Sequence, residues 1–378
     1  MKSITKYFIA FLYLLSFSTF LPAHSVLGQE NIRVSILKGQ ENIRISGGEI
    51  AIIDYITGNK IASGSNSSVF IEEGDNGLNV NKIPIPFSHI SISNHNGMLE
   101  VNGKGFRGKI EVLKENDNSL LVINELNLED YLIGLINQEM SSEWNMEALK
   151  AQAVAARTYA LFQKANRKES LYCLESTVLD QVYNGSDSED SRSRQAVQNT
   201  EGEVIIDQGE IIPAVYHSCC GGKTEPARLV WQNSSPLLQT VICRFCGDYP
   251  RYFWELKLTY EEVKKKLNAE GYQIENIKEV NIANRSETNR VIELSIKGRR
   301  NNIIITGNEM RRILGFDRLR STNFIVKNLR GSVRFLGIGY GHGAGLCQWG
   351  AKKMADNGYT YREILHYYYP FGDIKKIY

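Results

Sequence analysis

NLEDYLIGLINQEMSSEWNMEALKAQAVAARTYALFQK, residues 127 to 164, holds two helical patterns back to back. In the first, Leu128, Tyr131, Leu132, Leu135 and Ile136 follow the i, i+3, i+4, i+7, i+8 spacing of an amphipathic helix, and Asn127 stands where a cap belongs. At 100° per residue Glu139 falls in the middle of the apolar stripe. A carboxyl there is partly desolvated, which penalises its charged form and raises its pKa. It would then keep a proton near neutral pH, as a general acid must. The plain alternative is that Glu139 is the solvated end of a helix.

After the loop Ser141 to Trp144, a second helix is expected from Asn145, with Glu147 in its first turn and Lys164 near its end. Leu149, Ala153, Ala156 and Ala160 share a face, and between Ala148 and Gln163 the only charged residues are Lys150 and Arg157. Water can cover little of such a helix, so it reads as a buried central one. Arg157 then needs a partner, because an unpaired buried cation is costly.

The 378 residues suffice for one large core or two domains, and 42% hydrophobic content is ordinary for a globular chain. A net charge of +2 gives no electrostatic case for nucleic acid. Lys2 and Lys6 precede the apolar run Tyr7 to Leu21, and small residues follow at Ser25 and Gly28, so residues 1–28 read as a secretory signal peptide. The mature chain is therefore expected to be exported to the cell envelope.

Residues 29–99, and on to about 126, alternate polar and apolar residues between Gly, Asn and Asp punctuation, and read as a β-rich N-terminal region. GFRGKIEV is expected to pair with SLLVINEL and lead into the first helix. Val178 to Tyr183 has strand character, Ser191 to Thr200 looks helical, and EVIID turns at Gln208 and Gly209 into EIIPAVYHS. Residues 250–330 read as a further β-rich subdomain or insertion. The fold class is thus α+β, with central buried helices packed against antiparallel sheets.

HSCCGGKTEP and CRFC carry the metal-ligating chemistry. His217-x-x-Cys220 and Cys243-x-x-Cys246 have the spacing by which turns offer paired ligands to one tetrahedral zinc, which would be structural because four ligands close the site. In an oxidising compartment the same thiols could form disulfides, and spacing does not rank Cys219 against Cys220. RFLGIGYGHGAGLCQWGA is a strand, a glycine-dense loop and a helix. Its degenerate match to a dinucleotide fingerprint lacks the βαβ context, so no nucleotide is expected. The glycines instead let backbone approach a ligand closely around His342.

QEMSSEWNMEALKAQAVAARTYAL, DQVYNG, HSCCGGKTE, TGNEMRRILGFDRLRSTNF and GYGHGAGLCQWGA, in this order, resemble the SpoIID/LytB family of sporulation protein D and amidase-enhancer proteins over residues 100–378. The resemblance implies a lytic transglycosylase that cuts peptidoglycan between N-acetylmuramic acid and N-acetylglucosamine, leaving 1,6-anhydro ends, with Glu139 as general acid and base. It implies that Lys150, Gln152 and Arg157 support or line the site, with Gln181, Tyr183 and His342 in the cleft. It also implies zinc, bound by histidine and cysteine around HSxxGG, here His217, Cys220, Cys243 and Cys246. The partners implied are glycan strands and a cell-wall amidase. Two other classes compete: a glycan-binding modulator that does not cut, and, weakest, a metallohydrolase with an open zinc site.

Overall fold

The computed structural model describes residues 30–64, 68–117, 119–231 and 236–378; the expected signal peptide lies outside them. The described residues from 30 to 127 fold largely into two sheets, antiparallel except where Leu174–Glu175 joins Asn31–Gln40 in parallel. One runs, in spatial order, Leu174–Glu175, Asn31–Gln40, Leu120–Asn127, Lys109–Lys114, His89–Asn94, Ile50–Asp54 and Lys60–Gly64. The other runs Lys104–Arg107, Met98–Val101, Asn42–Ser46, Ser68–Gly74, Gly77–Val80 and Ile83–Ile85. Alternate residues of both sheets, among them Val34, Val112, Ile90, Ile43, Ile71 and Leu78, are fully buried in one core shared with the central helices. Only half of GFRGKIEV pairs with SLLVINEL: Lys109–Lys114 does, whereas Lys104–Arg107 returns to Met98–Val101. Gly108, at φ 80°, is the break between the halves.

Leu120–Asn127 runs directly into α1 (Leu128–Glu139), whose first N–H groups are capped by the Asn127 side chain at 2.8 and 3.4 Å. α2 (Met146–Asn166) opens on Asn145 and buries every residue from Ala148 to Leu161 except Lys150. Its alanines let α3 (Ser191–Gln198), α6 (Gln348–Asp356), α7 (Tyr361–Tyr368) and the strand Glu203–Asp207 pack around it. Val178 to Tyr183 is not a strand, because Asp180 ties it locally by accepting from Glu175 N at 2.9 Å and from Arg167.

A second core lies under α4 (Tyr260–Ala269) and α5 (Gly307–Leu314). It is closed by two three-stranded sheets, Phe253–Thr259 with Ser332–Ile338 and Phe324–Leu329, and Glu279–Arg285 with Val291–Lys297 and Asn302–Thr306. Ser332–Ile338 then feeds the glycine loop, which returns to the first core through a parallel pairing of Tyr216–His217 with Leu346–Cys347. The loop therefore joins both cores at one point.

Candidate active site

At that junction lies a cleft of about 610 Å³, walled by Glu139 and Gln138 from α1, Val178 to Asp180 with Val182, Tyr216, His217, Trp231, α5, Tyr340 to His342 and Gln348. Glu139 is the last residue of α1 and is partly buried in the wall. Its Oε1 accepts from Val182 N at 3.1 Å, its Oε2 from Gln348 Nε2 at 3.3 Å, and the Tyr216 side chain adds a third hydrogen bond. Burial pushes the carboxyl above its ordinary range, outweighing these donors, which pull it down. No cation is paired with it among the described residues.

The other carboxylates of the cleft are engaged. Asp180 accepts from Arg167 at 2.6 Å and from Tyr159 OH at 2.8 Å, Glu309 pairs with Arg312 at 2.8 Å, and Asp317 accepts from Tyr340 OH at 2.6 Å. Glu139 is thus distinguished by a pKa raised through burial with no cation beside it among the described residues.

Several expected site residues stand elsewhere. Gln152 and Gln181 are buried one layer behind Glu139: Gln152 Oε1 faces Gln348 Nε2 at 3.5 Å, and Gln181 donates to Tyr216 OH at 3.0 Å while accepting from Tyr131 OH at 3.1 Å. They orient the two side chains that hydrogen-bond the acid. Tyr183 is buried against Gly134 and Tyr131, with its hydroxyl on Asn124 Oδ1 at 3.2 Å. Lys150 pairs with Glu147 at 2.7 Å, outside the cleft lining. Arg157 is fully buried, its guanidinium bidentate on Glu129 at 2.7 and 2.6 Å and donating to Glu203 O at 3.1 Å, so its partner is a neighbouring helix and not a ligand.

His342 does line the cleft. Its Nε2 donates to Tyr216 O at 2.7 Å and its Nδ1 accepts from Ala344 N at 3.1 Å, and burial lowers its pKa to about 3. This neutral ring is a wall, with Trp231 packed on it at 4.9 Å. Gln348, Tyr216 and Trp231 were not singled out from sequence, although Gln348 and Tyr216 adjoin residues that were.

Four buried thiols, Cys220, Cys243, Cys246 and Cys347, lie within 4.8 Å of one another, and no disulfide joins any cysteine among the described residues. A tetrahedral zinc about 2.3 Å from each sulfur would space sulfurs roughly 3.8 Å apart, and Cys220 and Cys246 stand 3.5 Å apart. The set is soft, closed and buried, which suits a structural metal. Beside it Arg290 is 1% exposed, donates to Cys220 O at 2.6 Å, and leaves Nε and NH1 without acceptors. A buried cation of that kind complements a metal with four thiolates, whose net charge is negative.

His217, expected as a ligand, is not in this group; Cys347 takes its place. The imidazole of His217 lines the cleft instead, where Nδ1 donates to Ala344 O at 3.0 Å. Cys219 also stays outside the four, its thiol near Cys246 O at 3.8 Å.

The site is thus a cleft between two cores with a desolvated carboxyl that has no cation partner among the described residues, beside the Trp231 and His342 rings. The sequence model described as stage II sporulation protein matches residues 116–206, the segment that holds Glu139, and one described as a domain of unknown function matches residues 239–345. Stage II sporulation protein D of Bacillus amyloliquefaciens is 30% identical over 293 residues, covering 71% of this chain and 82% of the relative. An uncharacterized protein of Brachyspira hyodysenteriae is 33% identical over 315 residues, 83% of this chain and 84% of the relative. The amidase enhancer of Bacillus subtilis is 29% identical over 287 residues, with the chain spanning 39% of its length. The chain belongs to the stage II sporulation protein D family. No helix among the described residues is long and apolar enough to cross a membrane.

Proposed function

We propose that the chain is an exported lytic transglycosylase of peptidoglycan, with Glu139 as its one acid and base. The observation that carries this reading is the contrast within the cleft: Glu139 is desolvated with no cation beside it among the described residues, while Asp180 and Glu309 are held by arginines. Ordinary glycoside hydrolysis uses two carboxyl groups. Here one suffices. Protonated Glu139 gives its proton to the glycosidic oxygen, the bond from that oxygen to C1 of muramic acid breaks and glucosamine leaves as its hydroxyl; as the carboxylate Glu139 then takes the proton of the C6 hydroxyl, whose oxygen bonds to C1 and closes the 1,6-anhydro ring. Desolvation favours the first step, and the donors Val182 N, Gln348 and Tyr216 receive the carboxylate for the second. Trp231 and the exposed Val178 and Leu179 give the sugar an apolar surface. Zinc on Cys220, Cys243, Cys246 and Cys347 would brace the loop and take no part in the chemistry.

The likeness to an amidase enhancer supports a second reading, in which the cleft holds glycan without cutting it and the partner is a cell-wall amidase. Digestion of purified peptidoglycan, intact and stripped of stem peptides, with mass analysis of the products separates the two. Anhydro ends that vanish in Glu139→Gln support cleavage. Binding by both proteins with no new ends supports the modulator.

A further inference from the structure

Behind the catalytic cleft, the strand that feeds the glycine loop also borders a second groove. It holds about 510 Å³ and lies where Phe253–Thr259, Ser332–Ile338 and Phe324–Leu329 meet the turn after Glu279–Arg285. At its rim Phe253 is 79% exposed, an expensive place for a phenyl ring without a partner. On its floor Trp254 is 6% exposed, and its indole N–H finds no acceptor among the described residues. The side-chain amides of Asn289 and Asn323 make no hydrogen bond among the described residues, and Arg285, held on Phe324 O at 2.7 Å, faces no carboxylate.

Charge points the same way. Residues 250–338 carry 18 Lys and Arg against 10 Asp and Glu, so the excess of base in a chain of net charge +2 lies here. On the sheet's outer face Lys257, Arg334 and Lys327 stand in register across all three strands, with Glu255 as the carboxylate beside Arg334. Like charges placed opposite one another across strands destabilise a sheet unless an anion offsets them.

We propose that this groove is a second binding site for the glycan strand, engaging acetamido-sugars and the lactyl carboxylates of muramic acid at a distance from the cut. Phe253 stacks on a sugar face, Trp254 Nε1, Asn289 and Asn323 bond acetamido and hydroxyl groups, and Arg285 with the basic row holds carboxylates. Because Ile338 in the groove is four residues from His342 in the cleft, one polymer can touch both. The proposal rests on the peptidoglycan reading above.

The test uses the full chain carrying Glu139→Gln, which binds without cutting, and sedimentation with insoluble peptidoglycan, intact or stripped of stem peptides. Phe253→Ala on this background should bind both forms about fivefold to tenfold more weakly, the loss of one aromatic contact. In chains that keep Glu139, Phe253→Ala should leave cleavage of a short soluble muropeptide tetrasaccharide unchanged. Lys327→Glu, exposed and remote from either core, should weaken binding by a similar factor that shrinks with added salt. Unchanged binding in both variants overturns the groove; weakening confined to intact wall overturns the glycan assignment in favour of stem peptide. Weaker binding in Phe253→Ala with no anhydro ends from any protein sustains the groove and sinks the cleavage reading instead.

Discussion

Replacing Gln348 by Leu tests the electrostatic logic of the site. The amide donates to Glu139 Oε2 at 3.3 Å, and the carboxylate form gains more from that bond than the protonated form does. A hydrogen bond to a charged group is worth about 1.5–3 kcal/mol net at good geometry, and at this length roughly 1 kcal/mol is reasonable. Its removal raises the Glu139 pKa further, because a donor that pulls it down is lost. The rate depends on protonated Glu139, so it falls as pH rises through this pKa. In Gln348→Leu that alkaline fall should move to higher pH, while the plateau rate drops severalfold, the factor that roughly 1 kcal/mol makes, because the carboxylate needed for the second proton transfer is less well stabilised. The assay is the pH profile of anhydro-end formation from stripped peptidoglycan, paralleled by a ¹³C NMR titration of the Glu139 carboxyl. An unmoved limb, or one moved to lower pH, would refute the assignment of Gln348 as a carboxylate donor.

The Glu139 pKa is raised on folding, so its stabilising contribution is complete below the unfolded value and is lost as pH rises through the folded one. Thermal melts of Glu139→Gln should therefore gain on wild type with increasing pH, the gap closing in acid; a constant difference would contradict this. Arg157→Met leaves the partly buried Glu129 without its cation and should cost up to about 3 kcal/mol in denaturant unfolding, the low end for a broken buried pair, with little change in KM at a temperature where the variant stays folded. A large KM effect at full fold would restore Arg157 to the cleft. For the thiol cluster, Cys347→Ser should lower zinc per chain in elemental analysis, and Arg290→Met should speed zinc extraction by a chelator. Zinc content unchanged in both would remove the metal from these four cysteines.

Periodicity was enough to find α1, α2 and Glu139, because an apolar stripe that ends in a carboxyl is a local pattern. Arg157 was legible as a buried cation but not as a structural one: its partners Glu129 and Glu203 come from separate elements, and spacing along one helix says nothing of what packs across it. Gln152 and Gln181 stand one layer behind the cleft for the same reason. They belong to the hydrogen-bond network of the acid, yet only the fold shows that Gln348 and Tyr216 stand between. The ligand set failed for a topological reason. Pairs spaced C-x-x-C and H-x-x-C are visible within a turn, whereas Cys347 arrives from 101 residues beyond Cys246 through the parallel pairing of Tyr216–His217 with Leu346–Cys347.

That same pairing gives the four-thiol cluster its bearing on the chemistry. Cys347 is the N-cap of α6 and Gln348 its first residue, so the thiol that completes the cluster and the amide that bonds Glu139 are consecutive. Arg290, from the second core, donates to the carbonyl of Cys220 at 2.6 Å, and the guanidinium occupies the space that a Cβ at Gly343 would need. Anything that loosens the thiols therefore frees the start of α6, and with it the donor that sets the acid. A metal held there would fix the position of Gln348 to within the few tenths of an ångström that separate a hydrogen bond from a contact. Its removal should then act on Glu139 in the direction of Gln348→Leu, raising the pKa, even though no ligand to the metal touches the carboxyl.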